Sequence, residues 1–108
     1  MNLVELFAPA KLLTNPLPLP GTAYKPGRKY FVRTVTHYFT GELIAVYEKD
    51  LVFRKTSWIA STGRYATALK DGELDEVEPY PDGSIVIVNR EALIDGSEWS
   101  HELPLVQK

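Results

Sequence analysis

Two stretches rich in β-branched and aromatic residues dominate the chain and predict β-structure. The first, residues 28–58, contains three such runs at about 29–37, 39–47 and 51–58, joined by very short turns. The second lies at 82–99. Strands favour these residue types, and short turns favour antiparallel neighbours. The pattern predicts a mainly β domain, a small and strongly bent barrel of five strands.

A bend and a helix are predicted within this framework. Gly41 interrupts the second strand, and glycine inside a strand indicates a bulge or a sharp bend. Between the third and fourth barrel strands, the Ser-Thr pair at 61–62 and the glycine at position 72 mark the start and end of one short helix, at about 62–70. Trp58, at the end of a strand and next to Ile59, is predicted to be buried.

The penultimate strand has no polar positions that alternate with its apolar ones. Ile85 to Val88 are four consecutive apolar residues, which indicates that both faces of the strand are covered. A barrel this small covers one face, so another copy of the chain most simply covers the other. The short acidic segment 73–79 before it is predicted to be a strand with a free edge. The residues proposed for the contact between copies are Val77, Ile85, Val86, Ile87 and Val88.

The ends of the chain differ in character from the middle. Residues 15–27 contain four prolines and two glycines, which favour an extended segment over helix or ladder. We therefore expect an extended proline-rich N-terminal arm at 1–27, a barrel domain at 28–99 and a C-terminal tail at 100–108. The arm packs either on its own barrel or on a neighbouring copy, and the sequence leaves both alternatives open.

Composition limits the class of protein. A chain of 108 residues with 44% hydrophobic residues has room for one domain with a modest core. The chain contains no cysteine, so disulfides, thiolate nucleophiles and zinc ribbons are excluded, and a reducing compartment is favoured. No signal-peptide pattern or membrane-length apolar run is present, so we expect a cytoplasmic protein with no membrane partner.

The charges are divided unevenly along the chain. Residues 1–58 carry eight Lys/Arg and four Asp/Glu, while residues 59–108 carry four and ten, for a net charge of -2. A uniformly basic surface for nucleic acid is therefore absent, although the first three strands could form one basic face. Opposite charges in the two halves would also favour a head-to-tail contact between copies.

Residues able to carry catalysis are few. His37 and His101 have no histidine or carboxylate neighbours at metal-ligand spacing. No serine lies in a Gly-x-Ser-x-Gly motif, and the carboxylates at 71–83 do not have the spacing of a calcium-binding loop. The sequence thus predicts no enzyme, with no catalytic residue, no metal site and no cofactor.

Two motifs resemble those of the Sm-like family, which includes the bacterial Hfq proteins. The first is FVRTVTHYFTGELIAVYEKDLVFRKT, where Gly41 and Leu43 match the family's Gly-x-Leu bend and 51–53 its next apolar strand. The second is IVIVNREALID, a hydrophobic strand, a tight polar loop and a short last strand. SH3-like barrels share much of this pattern. The resemblance implies an SH3-type, five-stranded Sm-like barrel.

The resemblance also implies assembly and a ligand. Sm-like subunits join the fourth strand of one copy to the fifth of the next and close rings of five to seven, which bind single-stranded RNA at the pore. The matching positions here are Tyr47, Lys49, Asn89 and Arg90. In this interpretation Tyr47 stacks on a base, Asn89 contacts the base edge, and Arg90 meets a phosphate or stacks.

Departures from the family motifs support a second interpretation. Asp50 lies where the family has the asparagine that contacts the base, and the sequence Asn89-Arg90-Glu91 lacks the glycine of the second loop. Carboxylates at these positions repel phosphate. The alternative to an RNA-binding ring is therefore a divergent, phage-type oligomeric scaffold or adaptor protein with no nucleic-acid binding.

Overall fold

The computed structural model describes residues 22–108, which form six β-strands and one α-helix. The 1–21 part of the predicted arm lies outside the described residues. The chain is mainly β, as predicted. A 3-10 turn at Arg90–Ala92 joins the last two strands. In chain order the elements are β1 Lys29–Thr34, β2 Tyr38–Val46, β3 Asp50–Ser61, α1 Tyr65–Asp71, β4 Glu76–Pro79, β5 Ile85–Asn89 and β6 Leu93–Glu98.

The strands form a single antiparallel sheet that does not close into a barrel within residues 22–108. β1 pairs with β2 and β6, and β2 pairs with β3. The other edge of β3 carries two strands end to end, because this strand is 12 residues long. Its first half pairs with β5 and its second half with β4. The expected five-stranded barrel is thus an open six-stranded sheet, in which the acidic segment contributes β4.

Gly41 lies at an irregularity between β2 and β3, as predicted from its place inside a strand. The pairing register shifts between Thr40 and Glu42. A Cβ atom at Gly41 would lie 2.8 Å from Thr56 Oγ1 and 3.2 Å from Phe53 Cβ. β3 therefore crosses β2 at a distance that a side chain at position 41 would prevent.

Two hydrophobic clusters form because strand residues alternate between faces. Along β1, Tyr30 and Val32 belong to the first cluster and Phe31 belongs to the second. Val86 and Val88 of β5 also belong to the first cluster. The buried members of the second cluster are Phe31, Ile59, Ala68, Leu74, Val77 and Trp99.

Helix α1 lies between β3 and β4, as predicted, but begins three residues later than its expected start at about 62. Ser61 still belongs to β3, and its hydroxyl accepts a bond from the Gly63 amide at 3.3 Å. The helix ends where predicted, because Gly72 adopts a left-handed conformation with φ 74° and donates its N–H to the Ala68 carbonyl. None of the helices in the described part of the chain is long and apolar enough to cross a bilayer.

The C-terminal tail packs on β3 and β4. The buried Trp99 donates its indole N–H to the Glu102 carbonyl at 3.0 Å. The Ser57 hydroxyl donates to the Pro104 carbonyl. Lys108 and Val77 exchange two backbone hydrogen bonds of 3.0 Å, so the tail covers the outer edge of β4.

Candidate interaction surface

The four residues predicted to bind nucleic acid lie together at one end of the sheet. Tyr47 and Lys49 are in the β2–β3 turn, and Asn89 and Arg90 are at the end of β5. The Arg90 amide donates to the Lys49 carbonyl at 2.8 Å, and Asn89 is paired with Asp50. Residues from two separate motifs are thus brought to the same place.

The side chains of Arg90 and Asn89 have structural partners. The Arg90 guanidinium donates from Nη1 to the Tyr47 carbonyl at 3.0 Å and from Nη2 to the Thr22 hydroxyl at 3.5 Å. Asn89 Oδ1 accepts the Glu91 amide at 2.8 Å and caps the 3-10 turn. Arg90 therefore holds the β2–β3 turn and the start of the described chain to the end of β5.

The charge around this cluster is mixed. The Lys49 side chain is exposed, and so are those of Glu48 and Glu91 on either side of it. Asp50 is half-buried beside them. Among the described residues, a phosphate group at this end of the sheet would meet the exposed Lys49 ammonium together with three carboxylates, which disfavours strong anion binding.

The candidate contact residues between copies divide into two groups. The side chains of Val77, Val86 and Val88 are buried within the chain's own clusters. Ile85 and Ile87 point the other way and are 56% and 65% exposed. The outer face of β5 is therefore bare and aliphatic, and of the five candidates only these two present side chains to a partner.

A groove of about 450 Å³ runs along the free edge of β5. Residues 86–89 of this strand form one wall, and the β1–β2 turn at 34–37 forms the other. Phe39 and Leu93, which pack against the first cluster, also line it. Sequence reasoning missed this groove, although an apolar Val35 in a turn, here 83% exposed, was a usable signal.

A row of aromatic rings continues from the groove across the sheet. His37 lies 5.6 Å from Trp58 and 6.1 Å from Phe39, and Phe39 lies 6.4 Å from Tyr80, measured between ring centroids. The prediction that Trp58 is buried is wrong, since it is 37% exposed. Its neighbours Ser57 and Ile59 face inward, so alternation along β3 places it outside.

A charged cluster of Arg33, Asp95 and Tyr65 has a structural role. Arg33 forms a two-bond ion pair with Asp95 and stacks over the Tyr65 ring at 4.3 Å. These bonds from Arg33 hold the pKa of the Asp95 carboxyl below its ordinary value, and burial raises the pKa of the Tyr65 phenol. The cluster ties β1, β6 and the start of α1 together.

Residues 22–108 contain no group of three or more histidine and carboxylate side chains placed to hold a metal ion. Comparisons with protein-family models, curated proteins and solved structures give no match to this chain. Two adjoining surfaces thus remain as candidates, the polar cluster around Lys49 and the apolar face and edge of β5. The apolar surface is the stronger candidate, because the exposed side chains of Ile85 and Ile87 belong to neither hydrophobic cluster of the described chain.

Proposed function

We propose that this chain is a non-catalytic, Sm-like module that assembles with copies of itself through the outer face of β5. The observation that carries the proposal is the exposure of Ile85 and Ile87 on a strand whose inward residues are buried. Burial of apolar surface contributes about 25 cal/mol per Å². A second copy that covers this face removes its apolar surface from water, and this burial would stabilise the association.

The arrangement of the motifs supports the Sm-like part of the proposal. The first motif forms β1 to β3 with an irregularity at Gly41, and the second forms β5, the 3-10 turn and β6. Helix α1 and β4 are an insertion between the two motifs. A scaffold or adaptor role follows from self-assembly together with the carboxylates beside Lys49.

Light scattering on the eluate of a size-exclusion column tests the assembly. We expect the full chain at high micromolar concentration to have the mass of several copies, and a closed ring would have five to seven. The double variant Ile85→Asp/Ile87→Asp is expected to elute as a monomer, because it charges the bare face. Val106→Asp is the matched control, since Val106 is 79% exposed in the tail. A monomeric wild-type chain would refute the proposal.

Binding of single-stranded nucleic acid is the second candidate function. It is favoured by the meeting of Tyr47, Lys49, Asn89 and Arg90 at one end of the sheet. A fluorescence titration with short oligouridine and oligoadenosine tests it, and the binding should weaken with salt. Lys49→Ala is the informative variant, because its side chain is exposed, whereas Arg90 holds the turn together. The absence of salt-sensitive binding at micromolar protein removes this function.

A further inference from the structure

A small concave site at β3 and β4 adjoins the groove and differs from it in chemistry. We call it the aromatic pocket. Three of its lining residues carry aromatic rings, one carries a carboxylate, and none is a lysine or an arginine. Pockets for whole small molecules usually start at about 300 Å³, so this one, at about 280 Å³, has the size for a single side chain. The lining residues are His37, Trp58, Glu78, Pro79, Tyr80 and Pro81.

The fold holds the walls of the aromatic pocket in place. Trp58 and Glu78 are directly paired across β3 and β4, and both side chains are exposed. Residues paired in this way have Cβ atoms about 4.5–5.5 Å apart on the same face. The Tyr80 amide donates to the Thr56 carbonyl at 3.0 Å, and the prolines on either side of Tyr80 restrict its backbone. The walls therefore need little rearrangement to receive a ligand.

The electrostatics of the pocket favour a cation. The faces of aromatic rings attract positive charge, and tryptophan does so most strongly. The Glu78 carboxylate accepts from the Gln107 side-chain amide at 3.3 Å and forms no ion pair within residues 22–108, so it keeps most of its capacity to accept hydrogen bonds. Asp82, two residues beyond Tyr80, is also exposed. These carboxylates would repel a phosphate group.

The chain itself contains a cation bound by the same kinds of group. Arg33 stacks over the Tyr65 ring at 4.3 Å and donates two hydrogen bonds to Asp95. A guanidinium is planar, so it can lie on a ring and donate from its edge to a carboxylate at the same time. The aromatic pocket offers an equivalent ring and carboxylate in Trp58 and Glu78, and its lining residues supply no guanidinium.

We propose that the aromatic pocket binds an arginine side chain of a partner protein, with the guanidinium stacked on Trp58 and hydrogen-bonded to Glu78. Charge complementarity selects the arginine, and an exposed tryptophan beside a tyrosine is typical of the few residues that dominate binding at protein interfaces. The inference goes beyond self-assembly. It concerns a site at β3 and β4, whereas the proposed function concerns the outer face of β5, so each can fail without the other.

Fluorine NMR of the full chain labelled with fluorotryptophan tests the site. Trp58 is exposed, and the buried Trp99 serves as an internal reference. The probe is a blocked Gly-Gly-Arg-Gly-Gly peptide, and its control contains citrulline, which has nearly the shape of arginine but no charge. We expect a saturable shift of the Trp58 signal alone, and binding of the citrulline peptide about tenfold weaker. No saturable shift at about ten millimolar peptide, or equal binding of the two peptides, would overturn the proposal.

Glu78→Gln tests the hydrogen-bonded part of the site. This variant removes the charge of an exposed side chain and keeps its size, so the fold should be unchanged. The arginine peptide should bind about tenfold more weakly, and the preference over citrulline should disappear. Glu73→Gln makes the same change at an exposed position outside the pocket and should bind as the wild type does. Equal weakening in both variants would reduce the effect to net charge and refute the site.

Other occupants of the pocket would give different results in the same measurement. A larger shift of the Trp58 signal with tetramethylammonium would assign the pocket to a quaternary ammonium group, and a larger shift with short oligouridine would assign it to nucleic acid. In the variant Ile85→Asp/Ile87→Asp, a Trp58 signal that moves with protein concentration in the absence of peptide would assign the pocket to a second copy. Each of these three results would overturn the proposal of a partner's arginine.

Discussion

Gly41 is a position where one added carbon is expected to destabilise the fold. A methyl group would lie 2.8 Å from Thr56 Oγ1 and 3.2 Å from Phe53 Cβ, both of them on β3. Overpacking of a close-packed interior costs about 1–3 kcal/mol. Gly41→Ala should therefore lower the free energy of unfolding by this amount, measured by urea denaturation.

Thr56 provides the matched test of the cause. Its hydroxyl is buried and has no hydrogen-bond partner among the described residues, so its removal leaves no other group unsatisfied. In Gly41→Ala/Thr56→Ala the contact oxygen is gone, and part of the loss should be recovered. If the losses of the two single variants simply add, the crowding at Thr56 is not the cause.

The Arg33–Asp95 pair should make stability depend on acid pH. Its bonds lower the pKa of Asp95 below the ordinary value of 3.8, so the folded chain binds that proton less readily than the unfolded chain. The contribution is complete above pH 3.8 and is lost as the pH falls through the lowered pKa. We expect Asp95→Asn to cost up to about 1 kcal/mol at pH 7, because the pair is half exposed.

Denaturation at a series of pH values measures this effect. The gap between the wild type and Asp95→Asn should close as the acid protonates the carboxyl. Glu98→Gln is the control, because its ion pair with Arg28 is more exposed, with both side chains above 50%. A gap that is constant down to pH 2 would contradict the assignment to Asp95.

The structural roles of some single residues could be predicted from the neighbouring sequence, and those of others could not. Gly41 could be predicted because a glycine within a strand already indicates a bend. The run from Ile85 to Val88 showed that both faces of its strand are apolar, but not which two residues are buried. Arg33 and Asp95 are 62 residues apart, and no local pattern links them.

At the scale of elements, Arg90 connects three segments, and its loss should loosen them together. Its guanidinium reaches the Tyr47 carbonyl and the Thr22 hydroxyl. Arg90→Ala is expected to cost about 1–3 kcal/mol, since hydrogen bonds from a charged group exceed neutral ones. Arg90→Lys should recover only part of the lost stability. An ammonium lacks the two separate NH2 groups with which the planar guanidinium reaches two acceptors at once.

Chemical denaturation measures this loss, and Arg64→Ala is the control. Arg64 is also an arginine, but its side chain is exposed at the start of α1. A loss from Arg90→Ala no larger than that from Arg64→Ala would show that the guanidinium bonds do not hold the turn. Lys49→Ala, in the same turn, should be close to neutral.

Most strands were predictable as elements, because residue type and turn spacing are local signals. β1 and β5 lie within the predicted runs, β2 and β3 overlap theirs but begin one residue earlier, with β3 continuing to Ser61, and the acidic segment forms β4. Whether the sheet closes into a barrel could not be predicted from such local signals, because closure depends on which strand pairs with the far edge of β3. Since β3 is long enough to pair with β4 and β5 in line, the sheet stays open along β5.

At the scale of the whole molecule, the outer edges of β4 and β5 differ in whether another segment covers them. The outer edge of β4 is covered by the tail, through the paired backbone of Val77 and Lys108. The outer edge of β5 has no such cover within residues 22–108. The sequence could suggest a partner for β5 from its apolar residues. It could not foresee the tail, because residues 100–108 show no periodicity and are held by isolated bonds.

The hydrogen bond from Ser57 should decide whether the tail stays on the sheet. Its hydroxyl is fully buried and donates to the carbonyl of Pro104, a half-buried residue, so Ser57→Ala removes this hydrogen bond. The loss of one such bond costs about 0.5–1.5 kcal/mol. The tail would then open locally, and the Lys108 amide should exchange faster while amides in β1 keep their protection. Ser100→Ala, an exposed serine in the same segment, should leave both unchanged. If Lys108 exchanges at the wild-type rate in Ser57→Ala, the other contacts of the tail hold it in place, and the cover of β4 does not depend on this hydroxyl.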